Sequence, residues 1–319
     1  MHSSRGENEY LQSREEGQAR IPESSKEAQN MQTPSEFVTS YALIGQKKAK
    51  SPATKLLVLG VLAGFLIGMG AMVTNTAGHA LTNPSVAKIV SGLLFPFGLI
   101  MVILTGAELF TGNCLITISV MEKKVNWLGM LRNWLYVYLG NFIGSVLLAM
   151  AAAYSGPMNL NGDGVAVYTM KVAAGKCALT FGNAVVLGIL CNVLVCIAVA
   201  MSLMSRNTVG RAIGAYLPIA FFVIAGFEHS VANMYYISAG LFAKNIPAYV
   251  EAAAAAGLDI TGLTWWNFLV HNLLPVTLGN IIGGCSFAAL LWFAHGPEQA
   301  ATPVTVRMVP HETVKKTAS

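Results

Sequence analysis

One histidine and two glutamates sit inside long stretches of chain that hold no other charged side chain or imidazole. Glu108 is alone in residues 89–121, and Glu228 and His229 stand together in residues 212–243. An ionisable group at membrane depth is expensive, so each is a functional candidate by default. A neutral imidazole at His229 is tolerated in a dry passage, and its protonation can couple to an arriving anion. The plainer reading is a satisfied packing histidine. Carboxylates on an anion path would repel the anion, so Glu108 and Glu228 are expected to cap broken-helix N-termini or accept backbone N–H bonds. Asn113 and Asn233 close the same motifs and are expected to satisfy freed backbone groups. Adjacent residues on a helix point about 100° apart, so Glu228 and His229 do not form an acid–base pair facing one site. No nucleophile and no metal-ligand set accompanies them, which argues against an enzyme, a metal or a cofactor. Cys114, Cys177, Cys191, Cys196 and Cys285 lack zinc-ligand spacing and read as packing.

The elements that must hold these residues are too long to be single helices. Straight helices over residues 89–121 and 212–243 would extend about 48–50 Å, against a bilayer core of about 30 Å. Pro96 and Gly98 are the expected breakers in the first, Gly226 in the second. Non-helical backbone at that depth is tolerated where it lines a cavity or is buried in protein. Four further apolar runs, 56–73, 133–153, 184–204 and 267–294, each read as one span.

The composition agrees. Of 319 residues 54% are hydrophobic and 11% charged, against roughly 25% charged in a soluble domain. Fifteen of the 35 charged residues fall in positions 1–55, five follow Gly296, and fifteen are spread between. That excludes a soluble enzyme and a secreted disulfide scaffold. The basic residues lie at the ends of apolar runs rather than in clusters, so nucleic acid is not an expected partner. Lys47, Lys48, Lys50, Lys55, Lys123, Lys124, Arg206 and Arg211 collect on one side with the terminal tails; Lys88, Lys171, Lys176 and Lys244 collect on the other. The positive-inside rule then puts both termini in the cytoplasm of a multi-pass cell-membrane protein in contact with lipid.

The two halves resemble each other. Asn133-Trp-Leu-Tyr-Val-Tyr-Leu-Gly-Asn-Phe-Ile-Gly144 aligns without gaps on Asn272-Leu-Leu-Pro-Val-Thr-Leu-Gly-Asn-Ile-Ile-Gly283. Gly106, Glu108 and Asn113 align on Gly226, Glu228 and Asn233, and Leu59-Gly60 aligns on Leu187-Gly188. Three spans per half is an odd number, so the second half must run opposite to the first. Inverted repeats with an interrupted helix in matching positions are typical of transport proteins. The glycines at helical spacing read as close-packing faces. Residues 1–32 read as a disordered extension and 33–46 as an amphipathic helix opened by the capping box Thr33-Pro34-Ser35-Glu36, lying on the membrane surface or across a pore mouth. Residues 47–297 form the membrane domain, and 298–319 a cytoplasmic tail.

Gly106-Ala-Glu-Leu-Phe-Thr-Gly-Asn113, Gly188-Ile-Leu-Cys-Asn-Val-Leu-Val-Cys196 and Gly226-Phe-Glu-His-Ser-Val-Ala-Asn-Met234 resemble the signatures of the formate/nitrite transporter family, over roughly Phe37 to Phe293. The resemblance implies an all-α, aquaporin-like fold of six spans, a homopentamer with a pore in every protomer, and small weak-acid anions as substrates. Formate is the first expectation, then nitrite or hydrosulfide, with acetate and lactate also carried in the family. It makes His229 the central pore residue and Thr111 its hydrogen-bond partner, Thr111 being otherwise a satisfied loop hydroxyl. Asn192 matches a pore asparagine or, equally, makes an interhelical contact. Lys176 matches a vestibule lysine, where position alone reads as an interface anchor. Phe95, Leu99 and Phe222 match apolar constrictions, with Val195 added to one. The expected course is an anion drawn to a basic vestibule, gaining a proton near His229 and crossing largely neutral. A water or glycerol channel is the alternative, but paired Asn-Pro-Ala elements are absent; Asn83-Pro84-Ser85 occurs once, outside the breaks.

Overall fold

The computed structural model describes residues 31–296. Most of the expected extension 1–32 and the tail 298–319 lie outside the described residues. Among the described residues every regular element is helical, and six segments are long and apolar enough to cross a membrane. They are α2 (Ala53–Gly78), the pair α3 (Pro84–Leu94) and α4 (Pro96–Thr105), α6 (Trp127–Tyr154), α8 (Phe181–Met204), α9 (Thr208–Ala225), and Asn267–His295, whose main part is α12 (Leu274–His295).

The first interruption is not at Pro96 and Gly98. Phe95 is helical, with φ −57° and ψ −38°, and Pro96 occupies the first turn of α4, where its missing N–H costs nothing. The chain therefore passes from α3 to α4 within one span. The break comes ten residues later, at Gly106 (φ 70°), and its counterpart is at Gly226 (φ 77°). Both glycines end their helix by the same device. Ala107 N–H donates to Val102 C=O at 3.0 Å, and Phe227 N–H to Phe222 C=O at 3.0 Å. A left-handed residue that folds the last carbonyls back in this way favours glycine, which has no Cβ to clash. The chain resumes as a 3-10 turn, Gly112–Leu115, and α5 (Ile116–Met121) after the first break, and as α10 (Ser230–Ala243) after the second.

Two long helix pairs repeat one contact. α2 packs along α6 and α8 along α12. A Cβ on Gly140 would stand 2.5 Å from Leu57 C=O, and one on the matching Gly279 2.2 Å from Val185 C=O. Backbones this close exclude any larger residue. Outward side chains such as Val58, Leu135, Phe221 and Leu290 are apolar and exposed, as a lipid-facing or subunit-facing wall requires.

Two further helices shape the ends. α1 (Pro34–Lys50) extends four residues past 46 and buries Phe37, Val38, Tyr41 and Ala42 against the bundle, in contact with α5, α6 and α12. It therefore packs one face on the ends of the bundle helices. α7 (Leu160–Cys177) was not expected; it opens with left-handed Asn161, Gly162 and Asp163 and lies against α10. α11 (Pro247–Ala255) caps it.

Candidate functional site

Each break must leave several N–H and C=O groups without helical partners, and an asparagine two helices away supplies them. Asn141 on α6 accepts from Phe110 N–H at 2.9 Å and donates to Gly60 C=O and Glu108 C=O, both at 2.9 Å. Asn280 on α12 accepts from Ser230 N–H at 2.9 Å and donates to Gly188 C=O at 2.8 Å and Glu228 C=O at 3.0 Å. Glu108 N–H donates to Leu59 C=O at 3.2 Å, and Glu228 N–H to Leu187 C=O at 3.3 Å. Both asparagines are fully buried, so these bonds are what makes non-helical backbone tolerable there. Sequence reasoning gave this work to Asn113 and Asn233 and read the segments around Asn141 and Asn280 only as glycine faces.

The glutamates do something other than cap. Glu108 Oε2 receives Lys48 Nζ at 2.8 Å and Asn113 Nδ2 at 2.7 Å. Asn113 Nδ2 also reaches Asn133 Oδ1 at 2.9 Å, and Asn133 Nδ2 donates to Lys48 C=O at 3.2 Å. In the other half Glu228 receives Lys176 Nζ at 2.7 Å and Asn233 Nδ2 at 2.6 Å. Asn233 Nδ2 reaches Asn272 Oδ1 at 2.8 Å, and Asn272 Nδ2 donates to Lys176 C=O at 2.9 Å. Each half thus holds one lysine–glutamate–asparagine–asparagine ring, closed through the lysine's own carbonyl. The halves differ in detail. Lys48 and Asn113 share Glu108 Oε2, where Lys176 and Asn233 take separate oxygens of Glu228. Asn113 Oδ1 accepts from Lys48 at 3.0 Å, whereas Asn233 Oδ1 is buried without a partner and Lys176 lies over the Tyr236 ring at 5.3 Å. Lys48 was legible only as one of several basic residues marking a side.

Between the rings, His229 and Thr111 join the two breaks. The imidazole Nδ1 accepts from Ala232 N–H at 3.0 Å, capping α10, and Nε2 meets Thr111 Oγ1 at 2.8 Å. Because Nδ1 is committed as an acceptor, a neutral ring carries its proton on Nε2 and donates it to Thr111. Thr111's own hydrogen is then available to a third group. Asn192 holds the same loop, donating to Thr111 C=O at 3.2 Å and Asn280 C=O at 2.6 Å, while its Oδ1 is buried without a partner. Thr111 and Asn192 are fully buried and His229 is 3% exposed.

A cavity approaches from each side. One of about 500 Å³ is lined by Lys176, Glu228, Tyr236, Phe95, Phe222 and His229. The other, about 550 Å³, is lined by Tyr41, Lys48, Leu99, Glu108 and Asn113. Phe95 and Phe222 meet edge to face with centroids 5.7 Å apart, and the Phe222 ring stacks on the His229 ring at 5.9 Å. Phe95, Phe222 and Leu99 are at most 3% exposed, so the wall between the cavities is apolar. Val195 is buried in the core and lines neither cavity. The structure therefore brings Phe95, Phe222, His229 and Lys176 to one chamber and Leu99, Glu108 and Asn113 to the other, with Thr111 and Asn192 between.

Comparison with known proteins gives the same picture. The family described as Formate/nitrite transporter matches residues 35–294. A "Probable formate transporter" of Methanothermobacter thermautotrophicus is 34% identical over 285 residues, spanning 83% of this chain and 98% of its own. The "Formate channel FocA" of Escherichia coli (strain K12) is 37% identical over 254 residues, 78% of this chain and 89% of its own. Among solved structures, the "Pentameric formate channel with formate bound" aligns with a TM-score of 0.68 at 35% identity, covering 78% of this chain and 98% of that one.

Proposed function

The chain belongs to the formate/nitrite transporter family, and from that premise we propose that it carries formate, and secondarily nitrite or hydrosulfide, across the cell membrane together with a proton. The observation that carries this reading is the Thr111–His229 bond at 2.8 Å, set between two lysine-lined cavities and beside an apolar wall. A bare anion crossing the Phe95–Phe222 pair and Leu99 would lose several kcal/mol or more of hydration energy; its neutral acid would not. Each vestibule lysine is paired with a glutamate, so an anion is attracted without being trapped. At the centre, the Thr111 hydroxyl offers its hydrogen to the substrate while His229 Nε2–H steadies the hydroxyl oxygen. Protonating His229 at Nδ1 would break the Ala232 cap, so His229 acts as a neutral donor and the substrate's proton comes from vestibule water.

In this reading the halves form an inverted, aquaporin-like repeat. Lys48 faces the cytoplasm with both termini, Lys176 faces outward, and five protomers assemble, each with its own pore. A size-exclusion mass, corrected for detergent, near five times 33.8 kDa supports the assembly, and a monomer contradicts it.

The test is uptake by purified protein in liposomes of formate, nitrite, hydrosulfide and glycerol. Formate flux well above glycerol flux is expected, and His229→Asn, which can still cap α10 but offers no Nε2–H, should lower it at least about tenfold. Passage of glycerol with no formate flux would make this a neutral-solute channel instead.

A further inference from the structure

The outward cavity holds three ammonium groups, Lys88, Lys171 and Lys176, against one carboxylate, Glu228. Lys176 is committed: its Nζ lies 2.7 Å from Glu228 Oε1, and the pair is largely withdrawn from solvent, the two side chains being 17% and 7% exposed. Glu228 offsets part of that charge, so at the cavity mouth Lys176 attracts an anion less strongly than a lone ammonium would. Lys88, on the first turns of α3, makes no hydrogen bond or ion pair to another side chain among the described residues. Its ammonium nevertheless stands at a defined place. It lies 3.3 Å from the point a Cβ on Gly226 would occupy, directly over the turn that leads into Glu228 and His229. The C-terminal end of α9, with its partial negative charge, holds a cation there without neutralising it.

The repeat makes the placement conspicuous. The residue at the same distance before Gly226 as Lys88 is before Gly106 is Thr208, which carries no charge. Correspondingly, nothing lies within 4 Å of a Cβ on Gly106. Lys47 and Lys55 line the inward cavity beside Lys48, but no cation covers the turn there. Lys88 therefore has no counterpart in the half that otherwise repeats the lysine–glutamate–asparagine–asparagine ring.

We infer that Lys88 captures anions from outside: an ammonium without a bonded carboxylate over the second break, which concentrates the anion at the chamber and hands it to the Lys176–Glu228 pair. This deepens the formate reading and rests on it. Lys88 acts at the outer cavity; it takes no part at the Thr111–His229 centre.

The experiment is the concentration dependence of formate flux in liposomes with the protein in one known orientation, in each direction, at low and at high ionic strength. Lys88→Gln should raise the half-saturating formate concentration for inward flux about three- to tenfold at low salt with little change in the maximal inward rate, and lose its effect at high salt. At limiting formate it should lower flux by the same factor in both directions, as a passive pathway without a gradient requires. Lys88→Arg should behave as the parent. Lys88→Cys should show the defect and recover on treatment with an aminoethyl methanethiosulfonate, which restores a cation within an already folded protein. An unchanged inward half-saturation in Lys88→Gln, a defect that persists undiminished at high salt, or equal recovery with a neutral thiosulfonate would overturn the inference while leaving formate transport standing. If the parent protein moves no formate, both fall.

Discussion

Two side chains at the centre have one partner arrangement each, and that makes them easy to disturb. His229 Nε2–H is buried and gives its only proton to Thr111. Thr111→Val keeps the shape but leaves that donor without an acceptor, which should cost about 1–3 kcal/mol. A fall in Tm together with a fall in formate flux is expected; full flux with unchanged Tm would show that the bond is dispensable. Asn280 makes three bonds to two segments, so Asn280→Leu strands the Ser230 N–H and the Glu228 C=O of the break in a water-free interior. A loss of at least about 2 kcal/mol is expected in denaturation, with Asn141→Leu close to it because its bonds match one for one. A small loss in both would mean that water reaches the breaks.

At the scale of elements, the interruptions are what the fold exists to hold open. Gly106 has φ 70° and open space where a Cβ would go, so Gly106→Ala isolates the conformational term and should cost about 1–2 kcal/mol. Thermal unfolding checks it, and a stabilised variant would mean that the turn is not left-handed. The start of α1 is pH-sensitive for a local reason. Bonds from Thr33 to the Glu36 carboxylate hold its pKa below the usual value of 4.5. Because the folded value is depressed, the cap's contribution is complete above the ordinary value of 4.5 and is lost as pH falls through the lower, folded one. Amide exchange over Phe37–Tyr41 should therefore quicken at acid pH in the parent and show no such step in Glu36→Gln; identical profiles would discard the cap as the cause. The spans, the two-part helix at Gly226 and the repeat were legible because apolar length and repeated asparagines are written in the chain. The first break was misplaced because proline is the stronger helix breaker in general, yet Pro96 falls at a first turn where it does no harm. α7 escaped notice because Asp163, Lys171 and Lys176 dilute its apolar pattern and left-handed residues open it. Lys48 could not be told from Lys47 or Lys50 until α1 was seen to turn it toward Glu108.

For the molecule as a whole, the repeated rings set the chemistry. Two lysine–glutamate pairs 2.8 and 2.7 Å long mark the two mouths, and an apolar wall with one hydroxyl–imidazole bond separates them. In the proposed function a charged substrate enters at either mouth and crosses the middle as its neutral acid, so the arrangement suits a species that changes charge on the way. The most direct measurement is simultaneous recording of formate uptake and internal pH in liposomes bearing the purified protein. One proton should enter with each formate, uptake should rise when the outside is made acidic, and a membrane voltage should neither drive nor oppose it. Formate entry with no accompanying proton and with a voltage-dependent rate would contradict neutral passage at the Thr111–His229 centre.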